Sequence, residues 1–240
     1  MRKTTAIRAA LAALVTIGAG AAAAAAQTGA AVDGLPLVEA PAAAPGHTLA
    51  FLVSGDGDWA ATDRTLARDL NLRGISVVGL KARSYLSRPR TPDQAAADAG
   101  RVLRHYLGAW QADSVVVIGF SRGADVAPFM VRRLPPDLRG RVRLVALLSP
   151  TPTVGFQFHW SDLVADTRRP GDLPVLPEVA ALQGLRVMCV YGASDAHSLC
   201  PALPARTGRQ VPMDGGHHLG GDTDRIAGMI AAELRGTRNE

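Results

Sequence analysis

The chain is short of lysine, cysteine and aromatic residues, and the scarcities narrow what it can be. Beyond Lys3 the only lysine is Lys81, and no basic stripe with interleaved aromatics runs along the chain, which argues against nucleic-acid binding. The 26 lysine and arginine residues exceed 21 acidic ones, but Arg2, Lys3 and Arg8 stand in an N-terminal leader, so the rest is nearly balanced in charge. Two cysteines, Cys189 and Cys200, are too few for a disulfide scaffold. No Cys/His/acid cluster has metal-ligand spacing, because His217 and His218 are adjacent rather than one helical turn apart, so neither a metal nor a cofactor is called for. No long polar or charged run suggests disorder, no repeat suggests an array, and no apolar stretch beyond the leader is long enough to cross a bilayer.

What is present is a globular composition, 48% hydrophobic and 20% charged over 240 residues. That length, less a leader, supports one sizeable core and is too short for two ordinary domains. Residues 1–26 read as a secretory signal peptide: basic residues, an apolar run from Ala9 to Ala26, and small residues around Ala24-Ala25-Ala26. The competing reading is an uncleaved anchor, but the run is mostly alanine, which partitions weakly into lipid. Residues 27–47, rich in Ala, Pro and Gly, read as a linker, and residues 48–240 as the folded domain. Export into an oxidising compartment favours pairing of Cys189 with Cys200.

Within the domain, short apolar runs alternate with helical patterns. Strands are expected at Leu49-Ala50-Phe51-Leu52-Val53, at residues 75–80, 115–120, 142–148 and 187–191, and more weakly at 209–213. Helices are expected over residues 62–72, from Thr91-Pro92-Asp93 to about 107, over 125–133 and over 222–234. This order predicts an α/β fold, a mostly parallel sheet of about six strands with helices on both faces. Residues 150–180 break the rhythm with prolines and with Phe156, Phe158, His159 and Trp160, so they are assigned to a cap or lid.

Ligand sites in open α/β sheets lie beyond the carboxyl ends of the strands. Gly119-Phe120-Ser121-Arg122-Gly123 falls there, directly after an apolar strand and before a helix, which is the context of a nucleophile elbow. A serine hydroxyl needs a base within hydrogen-bond reach and an acid to orient that base. The chain order nucleophile, acid, histidine is met by Ser121, Asp195 and His217, with Asp214 the alternative acid and His218 the alternative base. Oxyanion donors are expected from the backbone of Arg122 and from Asp56 or Gly57, in the glycine-rich loop after the first strand. The whole set predicts a serine hydrolase of carboxylic esters.

At these residues the chain resembles the bacterial VirJ/AcvB virulence-protein family of the α/β-hydrolase superfamily. The resemblance rests on Ser54-Gly55-Asp56-Gly57-Asp58-Trp59, Thr91-Pro92-Asp93-Gln94, Gly119-Phe120-Ser121-Arg122-Gly123-Ala124-Asp125-Val126, Cys189-Val190-Tyr191-Gly192 with Cys200-Pro201, and Gly215-Gly216-His217-His218. It implies an α/β-hydrolase fold, a periplasmic location, hydrolysis of lysyl-phosphatidylglycerol, and links to type IV secretion-system proteins and the membrane surface. The chain departs from the family pattern at Arg122, where an aromatic or neutral residue is expected, at Asp58, where a second glycine is usual, and at His197, where an acid is expected. For such a substrate, Asp56, Asp58 or Asp125 can hold the lysyl ammonium, and Arg83, Arg88 or Arg122 can face a phosphate. The aromatics from Phe156 to Trp160 offer an apolar approach, and Asp58, Trp59, Tyr85, Trp160 and His218 are the substrate-contact candidates. Two other readings remain: a hydrolase of a soluble ester or thioester, and a periplasmic binding or secretion-accessory module.

Overall fold

The computed structural model describes residues 32–163 and 169–236; the expected signal peptide lies outside them. Nine strands are described: β1 (Leu37–Ala40), β2 (Thr48–Val53), β3 (Ser76–Leu80), β4 (Ser114–Phe120), β5 (Val142–Leu148), β6 (Thr153–Val154), β7 (Leu173–Pro174), β8 (Val187–Gly192) and β9 (Arg209–Met213). Seven of them form one sheet in the order β1-β3-β2-β4-β5-β8-β9, parallel except for β1, while β6 and β7 make a separate antiparallel ribbon. The helices are α1 (Ala61–Asn71), α2 (Ala82–Tyr85), α3 (Pro92–Ala109), α4 (Arg122–Arg132), α5 (Pro136–Arg139), α6 (Leu176–Ala180) and α7 (Thr223–Gly236).

Successive strand residues point to opposite faces, and the core divides accordingly. Leu49, Phe51, Val53, Val115 and Val117 pack under α3 and α4. Ala50, Leu52, Val116, Ile118 and Phe120 pack under α1 and α7. Because helices cover both faces, β2, β3 and β4 are buried almost throughout, which is why they read as unbroken apolar runs rather than alternating ones. Helix α3 starts where Thr91 and Gln94 satisfy each other's amides at 3.1 and 3.0 Å, with Pro92 in its first turn.

Two expectations change. The segment read as a linker contains β1, which pairs antiparallel with β3, Leu37 opposite Leu80, and is tied to α3 by the Tyr106 hydroxyl, which donates to Glu39 at 2.6 Å. A four-residue edge strand bounded by Pro36 and Pro41 is too short to show a period, so the sheet has seven strands instead of about six. Helix α4 begins directly at Arg122, earlier than the expected Asp125.

Strand β2 is flanked by β3 on one side and β4 on the other, so the connections leaving it diverge at their carboxyl ends and open a crevice. The described parts of the segment between β5 and β8, residues 149–163 and 169–186, border that crevice. They comprise the β6–β7 ribbon, a 3-10 turn at Trp160–Leu163 and α6.

Candidate active site

Ser121 joins β4 to α4 with φ 54° and ψ −124°. A non-glycine residue there costs on the order of 1–3 kcal/mol and persists only where the surroundings over-determine it. They do here. The Ser121 amide donates to the Leu148 carbonyl at 2.8 Å, and its carbonyl accepts from the Ala124 and Asp125 amides at 2.7 and 3.2 Å. A Cβ at position 119 would collide with the Gly123 carbonyl, and one at 123 with the Val53 carbonyl. The two glycines therefore let strand, turn and helix approach closely enough to lift the serine hydroxyl clear of the sheet.

His217 arrives from the loop after β9 and Asp195 from the loop after β8. The His217 Nε2 lies 2.8 Å from the Ser121 Oγ, and its Nδ1 lies 3.1 Å from an Asp195 oxygen. The other Asp195 oxygen accepts from the His197 amide at 3.1 Å. A Cβ at Gly192 would meet the Gly215 and Gly216 carbonyls, so the two loops interlock around a glycine on each side. Ser149, at the end of β5, completes the support by donating its hydroxyl to the His217 carbonyl at 2.7 Å. Of the alternatives, Asp214 is exposed on its turn, and His218 is exposed with its ring centre 5.8 Å from that of His217. His217 is thus the imidazole that meets Ser121, and Asp195 the acid that meets His217.

The loop after β2 abuts Ser121, since a Cβ on Gly55 would stand 3.2 Å from the Ser121 Cβ. Gly55 to Asp58 close into a tight turn through the Asp58 amide and the Gly55 carbonyl, 3.1 Å apart. This sets the Asp56–Gly57 backbone opposite the start of α4. The Arg122 amide stands in the first turn of that helix, where amides have no intrahelical acceptor.

A cavity of about 300 Å³ opens beside Ser121 and His217, with Asp56, Asp125, Asp162 and Asp172 on its walls against Arg122 and Arg169. Two of those acids are already paired. The Arg122 guanidinium donates to Asp56 at 2.5 Å and to Asp162 at 2.9 Å, and Arg169 also pairs with Asp162. Burial alone would lower the Arg122 pKa, but the Asp56 bond and the surrounding carboxylates outweigh it and hold the group above its ordinary value. Asp125, 4% exposed, accepts from the amide and hydroxyl of Thr151 at 2.6 and 2.8 Å. Burial pushes its pKa up to about 8 against those two bonds, so it holds a proton near neutrality. Among the described residues no group of three His, Cys, Asp or Glu is placed to hold a metal ion.

The substrate-contact candidates mostly lie elsewhere. Asp58 accepts from the Ser84 amide and hydroxyl at 2.9 and 2.6 Å, behind the loop. Trp59 lies over Gly79, where any Cβ would strike its ring. Tyr85 is buried and donates to Asp98 at 2.7 Å. Trp160 stands out at 76% exposed. Phe156 and Phe158, expected to form an apolar approach with it, turn inward instead, Phe156 packing edge-on against Phe129 at 5.2 Å. In an Arg- and Asp-lined cap these two rings are the apolar groups with most to gain from burial. Arg122, a candidate for phosphate, has its guanidinium committed to carboxylates. Sequence reading did not single out Ser149, Thr151, Asp162, Arg169 or Asp172. Ser149 had a signal, its place at a strand end; the others stand in an aperiodic segment that offered none.

Cys189 and Cys200 form a disulfide with Cα atoms 5.6 Å apart. It closes the loop that carries Asp195 and His197.

Residues 47–238 match the family described as bacterial virulence protein (VirJ), and the chain belongs to that family. No curated protein matches it. Among solved structures it is similar to Est1E from Butyrivibrio proteoclasticus, with a TM-score of 0.57 at 16% identity over 85% of this chain and 96% of that one. It is also similar to the esterase domain of a Rhodothermus marinus protein, TM-score 0.56 at 14% identity over 83% and 90%. A third is the Pyrococcus furiosus esterase Pf2001, TM-score 0.57 at 12% identity over 84% and 89%. At such identities the likeness speaks to the fold, which is that of the α/β hydrolases.

Proposed function

We propose that this VirJ-family protein is an exported serine hydrolase that cleaves a carboxylic ester, with Ser121 as nucleophile, His217 as base and Asp195 as the acid that orients it. The observation that carries the proposal is the continuous chain from the Ser121 Oγ through both His217 nitrogens to Asp195, built on a strained elbow at the sheet's crevice. In the reaction the Ser121 oxygen attacks the ester carbonyl while His217 Nε2 takes its proton. Asp195 stabilises the imidazolium through Nδ1. The amides of Arg122 and of Asp56 or Gly57 donate to the oxygen that becomes negative. Collapse breaks the bond to the alcohol, which leaves with the proton from His217. A water, deprotonated by the same imidazole, then attacks the acyl-serine and frees the acid.

For substrate we propose the aminoacyl ester of lysyl-phosphatidylglycerol, in the periplasm. The disulfide and the signal-peptide-like leader agree with export. Acidic walls beside the serine suit an acyl group bearing an ammonium. With Asp56 and Asp162 committed to Arg122, and Asp125 protonated and bonded to Thr151, the acid on the cavity wall left for that ammonium is Asp172. Trp160, exposed on the cap, is suited to a membrane surface. A second reading, a soluble ester, is favoured by the inward turn of Phe156 and Phe158, which leaves the described lining of the cavity mostly polar.

The test is labelling of the purified mature protein by a fluorophosphonate, followed by incubation with lysyl-phosphatidylglycerol vesicles and with short p-nitrophenyl esters. Labelling lost in Ser121→Ala, with lysine released from the vesicles, is the expected result. A preference for soluble esters would replace the lipid substrate, and folded protein that neither labels nor hydrolyses would leave the secretion-accessory reading.

A further inference from the structure

The first residue of α4 does two things at one point. Its amide follows directly on Ser121 in the first turn, while its guanidinium crosses the crevice to two other segments. Arg122 Nε donates to Asp56 in the loop after β2, Nη2 to Asp162 in the 3-10 turn at Trp160–Leu163, and Nη1 to the Gly155 carbonyl at 3.4 Å. The side chains involved are shielded from water, Arg122 at 14%, Asp56 at 23% and Asp162 at 4% exposed, so the pairs are far less screened than surface ones. Asp162 is itself held by the His159 amide at 3.1 Å and by Arg169. Asp162 is therefore a fixed point rather than a mobile counter-ion.

Both ends of the Arg122–Asp56 bond belong to residues whose backbones flank the reacting serine. Oxyanion donors act only when their spacing is set beforehand. On the far side of the loop Asp58 is fastened to Ser84; on the cavity side Asp56 is fastened to Arg122. From this we infer that the Arg122 side chain is a positioning residue: it holds the two oxyanion-donating segments in register and couples that register to the seating of the cap through Asp162. Loosening of the cap and loosening of the donor pair then become one event.

The inference rests on the hydrolase reading, and its test separates the two. Wild type, Arg122→Ala, Arg122→Gln and Asp162→Asn are compared on p-nitrophenyl acetate, with kcat and KM read separately and folding checked by circular dichroism. Arg122→Ala is expected to lower kcat about 100-fold, the scale of losing one oxyanion donor, with KM within about twofold. Guanidinium at non-denaturing concentration is expected to recover a large part of that loss, because it refills the space between Asp56 and Asp162. Asp162→Asn, which keeps the Asp56 bond, is expected to lose about tenfold, set between wild type and Arg122→Ala. A folded Arg122→Ala within about threefold of wild type in kcat overturns the inference. So does a loss that guanidinium leaves untouched, or insolubility of both Arg122 variants, since either marks the side chain as merely structural. A wild type that turns over no ester removes the hydrolase reading first and this inference with it.

Discussion

The elbow between β4 and α4 and the cap between β5 and β8 border the same cavity but are held in place by different forces. At the elbow the constraint is steric: Gly119 and Gly123 lie against backbone carbonyls, and the Ser121 amide is bonded to β5. In the cap it is electrostatic. Asp162 lies between Arg122 and Arg169, Asp172 accepts from the Arg169 amide at 2.7 Å, and Thr151 binds Asp125. A sterically set turn tolerates no added atom and ignores pH. A segment seated on charges and buried polar bonds can be shifted by protonation or by replacing one partner. The site thus joins an inflexible serine to an adjustable wall.

Substitutions can sharpen or break this contrast. The largest effect is expected at the elbow, where Ser121→Ala should lower kcat/KM of a soluble ester by about 10⁴-fold or more without loss of folding. Asp195→Asn should lower kcat by up to about 10⁴-fold, as expected when an imidazole loses the acid that fixes its tautomer, while Asp214→Asn stays within about twofold. Equal effects of those two variants would return the acid's identity to the open. Gly123→Ala places a methyl against the Val53 carbonyl and should cost about 3 kcal/mol in denaturant unfolding; an unchanged midpoint would show that the elbow yields after all.

The cap side should answer to pH instead. Asp125 holds its proton in the folded state up to about pH 8, against an ordinary value of 3.8. Its contribution to stability is therefore complete below about pH 4 and is lost as pH rises through about 8. Thermal unfolding of wild type should show that decline and Asp125→Asn should lack it; identical pH profiles would remove Asp125 from the contrast. The smallest effect belongs to Trp160, exposed and outside the core. Trp160→Ala should change stability by less than about 0.5 kcal/mol, leave short-ester turnover intact and raise KM severalfold for vesicle substrate.

How much was legible in advance follows the same division. Buried strands and covering helices leave a periodic apolar signal, so β2, β4 and β5 were placed to within a residue or so, and Ser121 followed from its position between strand and helix. β1 was missed because four edge residues carry no period. Asp58, Trp59 and Tyr85 drew attention as polar or aromatic residues near the motifs, but residue type does not say which way a side chain points. Asp58 caps a turn, Trp59 fills the space above Gly79, and Tyr85 is buried.

Periodicity and chain order alone set the layered α/β plan, the order of Ser121, Asp195 and His217 along the chain, and the cysteines available for a bridge. Both are local properties. It takes the folded chain to bring Asp195 rather than Asp214 to His217, to turn Phe156 and Phe158 inward, and to set the Arg122 guanidinium between Asp56 and Asp162. Those outcomes depend on distances between residues 22 to 66 positions apart. Such distances are set by how strands stack and loops cross, and no run of neighbouring residues records them.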